Sequence, residues 1–220
     1  MFNHIEIDYP KLERQMIQGV RYYDAPDGQK LVSITSIISH INREIFRAWR
    51  AKVGNDEANK VTKQATSRGT DMHTLSEYYL KNSELPSVQP LSEMLFKQAK
   101  PTLNKIDNIH ALEQSLFSYK LGVAGSVDCI AEYDGELAVI DFKTSKKPKP
   151  RNWVDHHFVQ CAAYACMLYE MTGIMVEKFV IIMSCENGEV KVYEEYDKRK
   201  YINLLSDYIS EFVEFKLQNA

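Results

Sequence analysis

Apolar side chains recur at helical spacing through most of the first half of the chain. In the segment that starts at Thr35, isoleucines and Trp49 fall on one face, which predicts an amphipathic helix. Phe46 and Trp49 are expected in the core, because large aromatic side chains on such helices usually pack inside. The predicted elements of this half are a hairpin or extended loop over residues 20–32 and helices over Thr35 to about Lys52, Asp56 to about Lys81 and Pro90 to about Asn108.

From Ala111 onward the pattern changes to the alternation that is typical of β-strands. Three strand-like segments, LEQSLFSYKL, VAGSVDCIAEY and ELAVIDFK, lead to the basic loop KKPKPR. A helix is predicted from Trp153 to Thr172, ended by Gly173. Two strands, VEKFVIIMS and EVKVYEE, then pair across Glu186-Asn187-Gly188, and a last helix runs from Asp197 to about Leu217.

The candidate chemistry concentrates in the stretch from Gly125 to Thr144, GSVDCIAEYDGELAVIDFKT. Asp134-Gly135 inside it is a strong signal for the two-residue turn of a β-hairpin. If that pair is the centre of the turn, Asp128 lies directly opposite Asp141, with Cβ atoms about 4.5–5.5 Å apart. Because strand side chains alternate, Lys143 shares a face with Asp141. The hairpin is therefore predicted to bring two carboxylates and one amine together.

Two opposed carboxylates destabilise a hairpin unless something offsets their repulsion. A divalent cation between them would do so, and carboxylate oxygens are ligands that Mg²⁺ and Mn²⁺ prefer. Lys143 could then orient or deprotonate an attacking water and stabilise developing negative charge. The alternatives are an edge hairpin whose carboxylates face water, and a plain ion pair between Lys143 and an aspartate. The pattern favours Asp128, Asp141 and Lys143 as a catalytic metal site.

Four motifs in one order extend this interpretation: RGTDMH at Arg68–His73, GSVD at Gly125–Asp128, DFKT at Asp141–Thr144 and QCAAY at Gln160–Tyr164. Together they resemble the PD-(D/E)xK nucleases, and specifically the RecB-like exonuclease branch of that superfamily. The resemblance covers roughly residues 31–166, most of the chain. It implies an α/β fold with a restriction-endonuclease-like core, a mixed β-sheet flanked by helices, and an N-terminal helical elaboration.

Under this resemblance, residues 1–220 are expected to form a single nuclease domain. Residues 1–110 would be mainly a helical elaboration that carries the histidine motif, and residues 111–220 would be the catalytic core. Glu113 is expected at the head of the first core strand, where a solvated strand end is the alternative. The further metal ligands that the resemblance implies are the side chains of His73 and Glu113 and the backbone carbonyl of Phe142.

The resemblance also implies residues that contact DNA or support its binding. For Arg68 the alternative is an intrahelical ion pair, and for Tyr164 it is ordinary core packing. The basic run that supplies Lys146 and Lys147 is either a phosphate track or a solvated loop. The predicted DNA-binding residues are Arg68, Thr144, Ser145, Lys146, Lys147, Gln160 and Tyr164.

Composition narrows the classes of function. The 220 residues carry a formal net charge of −3, which argues against a passive, high-affinity DNA-binding module but not against a nuclease with a local basic groove. No apolar run is long enough to cross a membrane, and the N-terminal segment has the features of neither a secretory signal nor a transit peptide. A cytoplasmic protein of a bacterium or of a phage-infected host cell is expected, with no membrane partner.

Histidines and cysteines outside the motifs are not expected to bind metal. No cysteine precedes Cys129 and no C-x-x-C pair occurs, so the iron–sulfur cluster of some RecB-like nucleases is not expected. The adjacent residues His156 and His157 diverge by about 100° on a helix, and we reject them as a chelating pair.

The main hypothesis is a Mg²⁺- or Mn²⁺-dependent DNA exonuclease that acts on single-stranded ends and leaves 5′-phosphates. One alternative is a double-strand-specific recombination exonuclease that works with an annealing protein. Another is a catalytically inactive accessory protein that binds DNA ends. DNA is the expected partner in each case, and a recombination or replication protein is a further candidate.

Overall fold

In residues 1–219, which the computed structural model describes, an eight-stranded mixed β-sheet organises the fold. Its strands follow the order β1-β2-β3-β5-β6-β7-β8. Strand β4 pairs with the edge of β5 that faces away from β3 and β6. Strand β3 runs parallel to β5 and β6 runs parallel to β7, while the other pairs are antiparallel. The strands are β1 (Glu13–Ile17), β2 (Val20–Asp24), β3 (Lys30–Ser33), β4 (Ile106–Ser118), β5 (Val123–Tyr133), β6 (Glu136–Ser145), β7 (Lys178–Cys185) and β8 (Val190–Glu195).

Helices cover both faces of this sheet, which confirms the predicted mixed α/β architecture. Gly173 ends the fifth helix with a φ of 76°, the left-handed cap that the sequence predicts. In the described part of the chain no helix is both long and apolar enough to span a membrane. The helices are α1 (Ile34–Ile41), α2 (Arg43–Val53), α3 (Asn55–Leu80), α4 (Pro90–Leu103), α5 (Asp155–Thr172) and α6 (Lys198–Gln218), with a 3₁₀ turn at Arg151–Trp153.

Alternating side chains of the central strands build a separate apolar core on each face of the sheet. On one face, Val139 and Ile181 pack with side chains of α1, α5 and α6, among them Phe158 of α5. On the other face, Ile140 and Ile182 pack with α3 and α4. All of these side chains are buried, so the hydrophobic effect holds the sheet from both sides.

The N-terminal region differs from the predicted elements. The predicted hairpin around Asp27-Gly28 is confirmed as β2 and β3, but β1 was not predicted and extends the same sheet by one more strand. The single helix expected from Thr35 to Lys52 is wrong, because Asn42 separates α1 from α2. The first part of the chain therefore contributes strands to the sheet as well as helices.

The expectation that Phe46 and Trp49 lie in the core is also wrong. Helix α2 has no buried residue, Phe46 is 47% exposed, and Trp49 is only half-buried. The helix makes its main contacts with α1 and α3. Trp49 and Val53 line a cavity instead, so the amphipathic pattern marks a face that borders a cleft.

The third predicted helix is too long. Helix α4 ends at Leu103, and the strand expected from Ala111 begins already at Ile106. Ile106 and Ile109 are buried in the sheet, and this burial outweighs the helical periodicity of the segment. The pairing of β4 with β5 shifts register between Asp107 and Ala111, as a β-bulge does.

The central hairpin has the predicted turn and register. Asp134 and Gly135 have φ values of 52° and 82°, as a two-residue type I′ turn requires. The pairing of β5 with β6 ends at Cys129–Ile140, so Asp128 and Asp141 lie just beyond the last pair.

Gly125 allows α1 and α5 to approach β5 closely. A Cβ atom at this position would lie 3.0 Å from Ile34 Cγ2 and 3.0 Å from both the ring and the hydroxyl oxygen of Tyr164. Contacts this short force buried neighbours to move. Glycine at this position therefore lets the Tyr164 hydroxyl reach the strand.

Gly125→Ala is expected to lower the free energy of unfolding by about 1–3 kcal/mol, because the added methyl group overpacks this contact. Urea unfolding followed by circular dichroism measures the change. Gly69→Ala is the matched control, since no atom lies within 4 Å of its Cβ position in α3. The control should gain about 0.5–1 kcal/mol, and equal effects of both substitutions would contradict close packing at Gly125.

Candidate metal centre

The β5–β6 hairpin opens at the end away from its turn. On the edge opposite β4, strand β5 pairs with β3 at Val123 and Ala124 and with β6 from Cys129 onward. Between these ladders, residues 125–128 have no strand partner on that edge within residues 1–219. Strand β6 continues beside β7 as far as Ser145. The two strands therefore part at their GSVD and DFKT motifs and leave a notch in the sheet.

Two side chains bond backbone groups at this notch. Asp128 Oδ2 accepts a hydrogen bond of 2.8 Å from the backbone N–H of Phe142. The hydroxyl of Tyr164 donates to the carbonyl oxygen of Ser126 at 2.6 Å. Because a buried backbone group without a partner costs about as much as a lost hydrogen bond, these contacts stabilise the separated strands. The other oxygen of Asp128, Oδ1, is not used in this bond.

His73 of α3 reaches the notch from the face that carries α3 and α4. Its Nε2 lies 2.9 Å from the carbonyl oxygen of Phe142 and donates a hydrogen bond to it. Its Nδ1 lies 3.5 Å from Asp128 Oδ1 and 3.4 Å from Glu113 Oε1. One ligand atom from each of His73, Glu113 and Asp128 lies within 4.8 Å of the other two. The structure therefore brings four of the predicted ligand groups together, counting the Phe142 carbonyl.

Glu113 joins this group through an unusual backbone conformation. Its neighbours on β4 pair with the residues on either side of Asp128, so Glu113 is the residue opposite Asp128. Its φ of 47° lies in the left-handed region, which non-glycine residues seldom adopt and which occurs often at functional sites. The expectation that Glu113 heads its strand is wrong, since β4 begins at Ile106. A distortion in mid-strand places its carboxylate beside His73 instead.

Negative charge around His73 keeps its ring protonated. The Asp128 carboxylate raises the pKa of His73 to about 9, against the opposing effect of burial, and Glu113 adds to the rise. At neutral pH the imidazolium is therefore itself the cation between two carboxylates. A metal ion that took a nitrogen of this ring as a ligand would have to displace its proton.

Asp141 and Lys143 form a second cluster beside the first. Lys143 Nζ lies 2.5 Å from Asp141 Oδ1. Burial raises the pKa of Asp141 to about 6, and the charge of Lys143 opposes this rise. For Lys143, burial lowers the pKa, but Asp141 and Asp128 outweigh it and the pKa lies above its usual value. At neutral pH the two groups form an ion pair, so Lys143 presents a charged amine.

The second oxygen of Asp141 faces a residue that sequence reasoning missed. Asp141 Oδ2 is buried without a hydrogen-bond partner, and the closest imidazole nitrogen is Nδ1 of His157 at 4.0 Å. Burial lowers the pKa of His157 well below its usual value, so this ring is neutral at neutral pH. His157 precedes Gln160 by three residues on α5, and that spacing was the signal that could have placed it on the same helix face.

The donor groups of the notch fit a hard divalent cation. Carboxylate and carbonyl oxygens from Asp128, Glu113 and Phe142 are the ligand type that Mg²⁺ and Mn²⁺ take, and the imidazole of His73 suits Mn²⁺ better. The orphaned Oδ2 of Asp141 is a further buried acceptor in the same region. In residues 1–219, no group of three or more candidate ligands includes a cysteine.

Among the predicted DNA contacts, Arg68 and Thr144 lie together. Arg68 Nε donates to Thr144 Oγ1 at 3.1 Å, and a second guanidinium nitrogen pairs with Glu186 in the turn that follows β7. The intrahelical ion pair considered for Arg68 is therefore wrong. Exposed Lys146 lines both cavities that flank Arg68, which have volumes of about 540 Å³ and 520 Å³.

Other predicted DNA contacts need correction. Tyr164 is buried and supports β5 through Ser126 instead of facing DNA. Ser145 is largely buried but lines the cavity of about 540 Å³, where a contact with DNA stays a prediction. Gln160 is half-buried, and its Nε2 lies 3.5 Å from the Tyr164 hydroxyl. Lys147 is exposed in the basic loop, where a contact with phosphate stays a prediction.

The sheet, the notch and the order of the motifs define a class of protein. The family model described as the PD-(D/E)XK nuclease superfamily matches residues 56–214, well over half of the chain. The chain belongs to the PD-(D/E)XK nuclease superfamily. Nucleases of this superfamily use divalent metals, and the group of His73, Glu113 and Asp128 is a candidate place for one.

Individual relatives match shorter parts of the chain. The protein named mitochondrial genome maintenance exonuclease 1 of Homo sapiens is 33% identical over 115 residues, which cover 48% of this chain and 33% of the human protein. The protein of the same name in Mus musculus is 47% identical over 64 residues, which cover 28% of this chain and 19% of the mouse protein. The chain thus spans a third or less of the length of these relatives.

One solved structure shares the fold. The crystal structure of a protein described as a candidate exonuclease, from Eubacterium rectale, matches with a TM-score of 0.52 and 13% sequence identity. The match covers 70% of this chain and 66% of that one. At this identity the likeness concerns the fold alone, and it agrees with the predicted core of a mixed sheet flanked by helices.

Binding of Mn²⁺ is expected to release a proton from His73 at neutral pH, because the pKa of this residue is raised to about 9. The apparent affinity should therefore rise about tenfold per pH unit and level off above the pKa of His73. Titration calorimetry in buffers of different ionisation enthalpy measures the released proton. His73→Gln should abolish the release, whereas His40→Gln, whose ring packs on Phe215, should keep it. Proton release that persists in His73→Gln would contradict this assignment.

Proposed function

We propose that this chain is a divalent-metal-dependent deoxyribonuclease that removes nucleotides from DNA ends. The observation that carries the proposal is the notch between β5 and β6, where a group of candidate metal ligands meets an aspartate–lysine ion pair. Membership in the superfamily supports phosphodiester hydrolysis. The names of the relatives support the exonuclease assignment.

Five groups of the chain would hold the metal. When bound, a divalent ion lowers the pKa of a water molecule and offsets the negative charge that develops on the phosphate. Asp128 has a further task, because its Oδ2 fixes the Phe142 amide and thereby the carbonyl of the same residue near His73. The proposed ligand groups are the side chains of His73, Glu113, Asp128 and Asp141 and the carbonyl oxygen of Phe142.

Lys143 acts on the water and on the phosphate. In the free protein, Asp141 and Asp128 hold the pKa of Lys143 above its usual value, so its amine is protonated and can donate hydrogen bonds. It orients the attacking water and stabilises the charge on the phosphoryl oxygens as that charge grows. Attack of the water on phosphorus, with its proton released to solvent, breaks the bond to the 3′-oxygen. That oxygen takes up a proton from solvent, so the products are a 5′-phosphate and a 3′-hydroxyl. Asp141 positions the amine through the ion pair of 2.5 Å.

Single-stranded ends are the proposed substrate. The cavity of about 540 Å³ beside Arg68 is lined by Trp49 and Val53 together with Lys146 and Lys149. An apolar and aromatic wall next to positive charge suits an unpaired base and its phosphate, because every base has a face that can stack. A duplex would have to present its bases paired and would use only the charged part of this surface.

The proposed partner is DNA with free ends, together with a recombination or replication protein. A cytoplasmic location stays the prediction from the sequence. The vertebrate relatives carry the word mitochondrial in their names, so a test of location should include organelles as well as cytoplasm.

Lys143→Ala is expected to reduce cleavage of single-stranded DNA by about 100- to 1000-fold, because one charged donor at the reacting phosphate is lost. Binding of the same DNA should change little. The measurement uses linear strands labelled separately at each end, with Mn²⁺, Mg²⁺ or EDTA. Lys120→Ala, in the exposed turn between β4 and β5, is the matched control and should retain full activity. Full activity in Lys143→Ala would contradict the assigned role.

Matching duplex and circular substrates separate the alternatives. Shortening of linear but not circular strands identifies an exonuclease, and the labelled end that is lost first gives its polarity. A preference for blunt duplex ends would favour the recombination exonuclease that works with an annealing protein. Binding without any cleavage in either metal would favour the inactive accessory protein.

A further inference from the structure

The guanidinium of Arg68 is held between two polar partners, Thr144 of β6 and Glu186 of the turn between β7 and β8. Its Nε donates to Thr144 Oγ1 at 3.1 Å, and a second nitrogen pairs with the carboxylate of Glu186. Only 11% of the Arg68 side chain is exposed, so an unpaired charge here would be costly. Arg68 therefore needs an anion at the position where Glu186 now lies.

A carboxylate and a phosphate offer the same geometry to a guanidinium. The planar fork of arginine donates parallel hydrogen bonds to two oxygens of either group. A backbone phosphate of DNA could therefore take the place of the Glu186 carboxylate without any movement of Arg68.

The position of this pair suits a phosphate of a DNA strand that is bound at the notch. Thr144 follows Lys143 on β6, with its side chain on the opposite face of the strand, and Arg68 belongs to the same helix, α3, as His73. Cavities lie on both sides of Arg68, and Lys146 lines each of them. A strand that runs from one cavity to the other would pass its backbone over Arg68.

The Glu186 side chain can move away from Arg68 while its backbone stays in place. Its backbone N–H donates to the carbonyl oxygen of Ser145 at 3.0 Å, which anchors the main chain of the turn. Its side chain is 29% exposed, so the carboxylate can turn into water while the main chain stays in place. Arg68 Nε stays bonded to Thr144, and its side chain is less exposed than that of Glu186, which leaves Glu186 as the mobile partner.

We propose that the Glu186 carboxylate occupies the site of a DNA phosphate and is exchanged for that phosphate when a strand binds. This inference rests on the proposed function. Glu186 keeps Arg68 oriented beside Thr144 in the free protein, and it competes with DNA for the guanidinium. The competition lowers the affinity for any strand that fails to place a phosphate over Arg68, which makes Glu186 a specificity-determining residue.

Glu186→Gln tests the exchange, because the amide oxygen still accepts a hydrogen bond from Arg68 but the competing charge is gone. Binding of a fluorescein-labelled single-stranded oligonucleotide is measured by anisotropy in the Lys143→Ala background with Mn²⁺, so that the strand is not cut. The dissociation constant should fall by about three- to tenfold. The plot of log affinity against log salt concentration should become steeper by up to about 0.7, as one more phosphate contact releases its counterion in full.

Glu189→Gln is the matched control, since it removes the same charge from an exposed position in the same hairpin. It should change the affinity by less than about twofold and leave the salt slope unchanged. In an Arg68→Ala background, Glu186→Gln should lose its effect, because no guanidinium is left to compete for.

Four results would overturn the inference. Equal effects of Glu186→Gln and Glu189→Gln would show only a general change of charge. Weaker binding in Glu186→Gln with an unchanged salt slope would show that Glu186 merely orients Arg68. Failure of every variant to bind DNA would overturn the proposed function, and this inference with it, whereas binding without the predicted difference would overturn the inference alone.

Discussion

The site depends on one constraint, which is that β5 and β6 must separate while both strands continue. A ladder that ends in mid-strand leaves backbone groups to be bonded by other means. The carboxylate of Asp128 bonds the Phe142 amide, and the Tyr164 hydroxyl bonds the Ser126 carbonyl. Gly125 makes the second bond reachable, because a side chain there would displace the ring of Tyr164. The notch is therefore a built feature of the sheet, stabilised by residues that also border the candidate metal centre.

Several carboxylates lie at the notch, and the positive charges of His73 and Lys143 balance them only in part. Asp128 and Glu113 both interact with the protonated ring of His73 and raise its pKa. Asp141 forms an ion pair with the amine of Lys143. Burial nevertheless raises the pKa of Asp141, and its Oδ2 has no hydrogen-bond partner. Such a group favours a bound cation, because a cation relieves repulsion and desolvation at the same time. Metal affinity and the cost of keeping this site folded thus have the same electrostatic origin.

Local chemistry explains which parts of the fold the sequence could predict. The turn at Asp134-Gly135 sets the hairpin register, and the register alone places Asp128 near Asp141. His73 could be found only from its motif, because its distance to Asp128 depends on how α3 packs on the sheet. Contacts across long separations gave no signal at all: the partners Arg68 and Glu186 are 118 residues apart. The apolar face of α2 led to the wrong prediction that Phe46 and Trp49 lie in the core. Such a face does not reveal from sequence alone whether it packs against a core or borders a cleft.

Convergence from both faces of the sheet explains why the ligands are scattered along the chain. His73 belongs to the helical layer on one face, and His157 belongs to the layer on the other. An unbroken sheet would keep these layers apart, whereas the notch lets side chains from both reach the carboxylates between them. Asp128 links the two roles, because one of its oxygens holds the opened strand and the other faces His73. A substitution that removes this carboxylate must therefore alter strand separation and ligand geometry together, and a substitution that keeps the hydrogen bond but not the charge, Asp128→Asn, is the one that separates them.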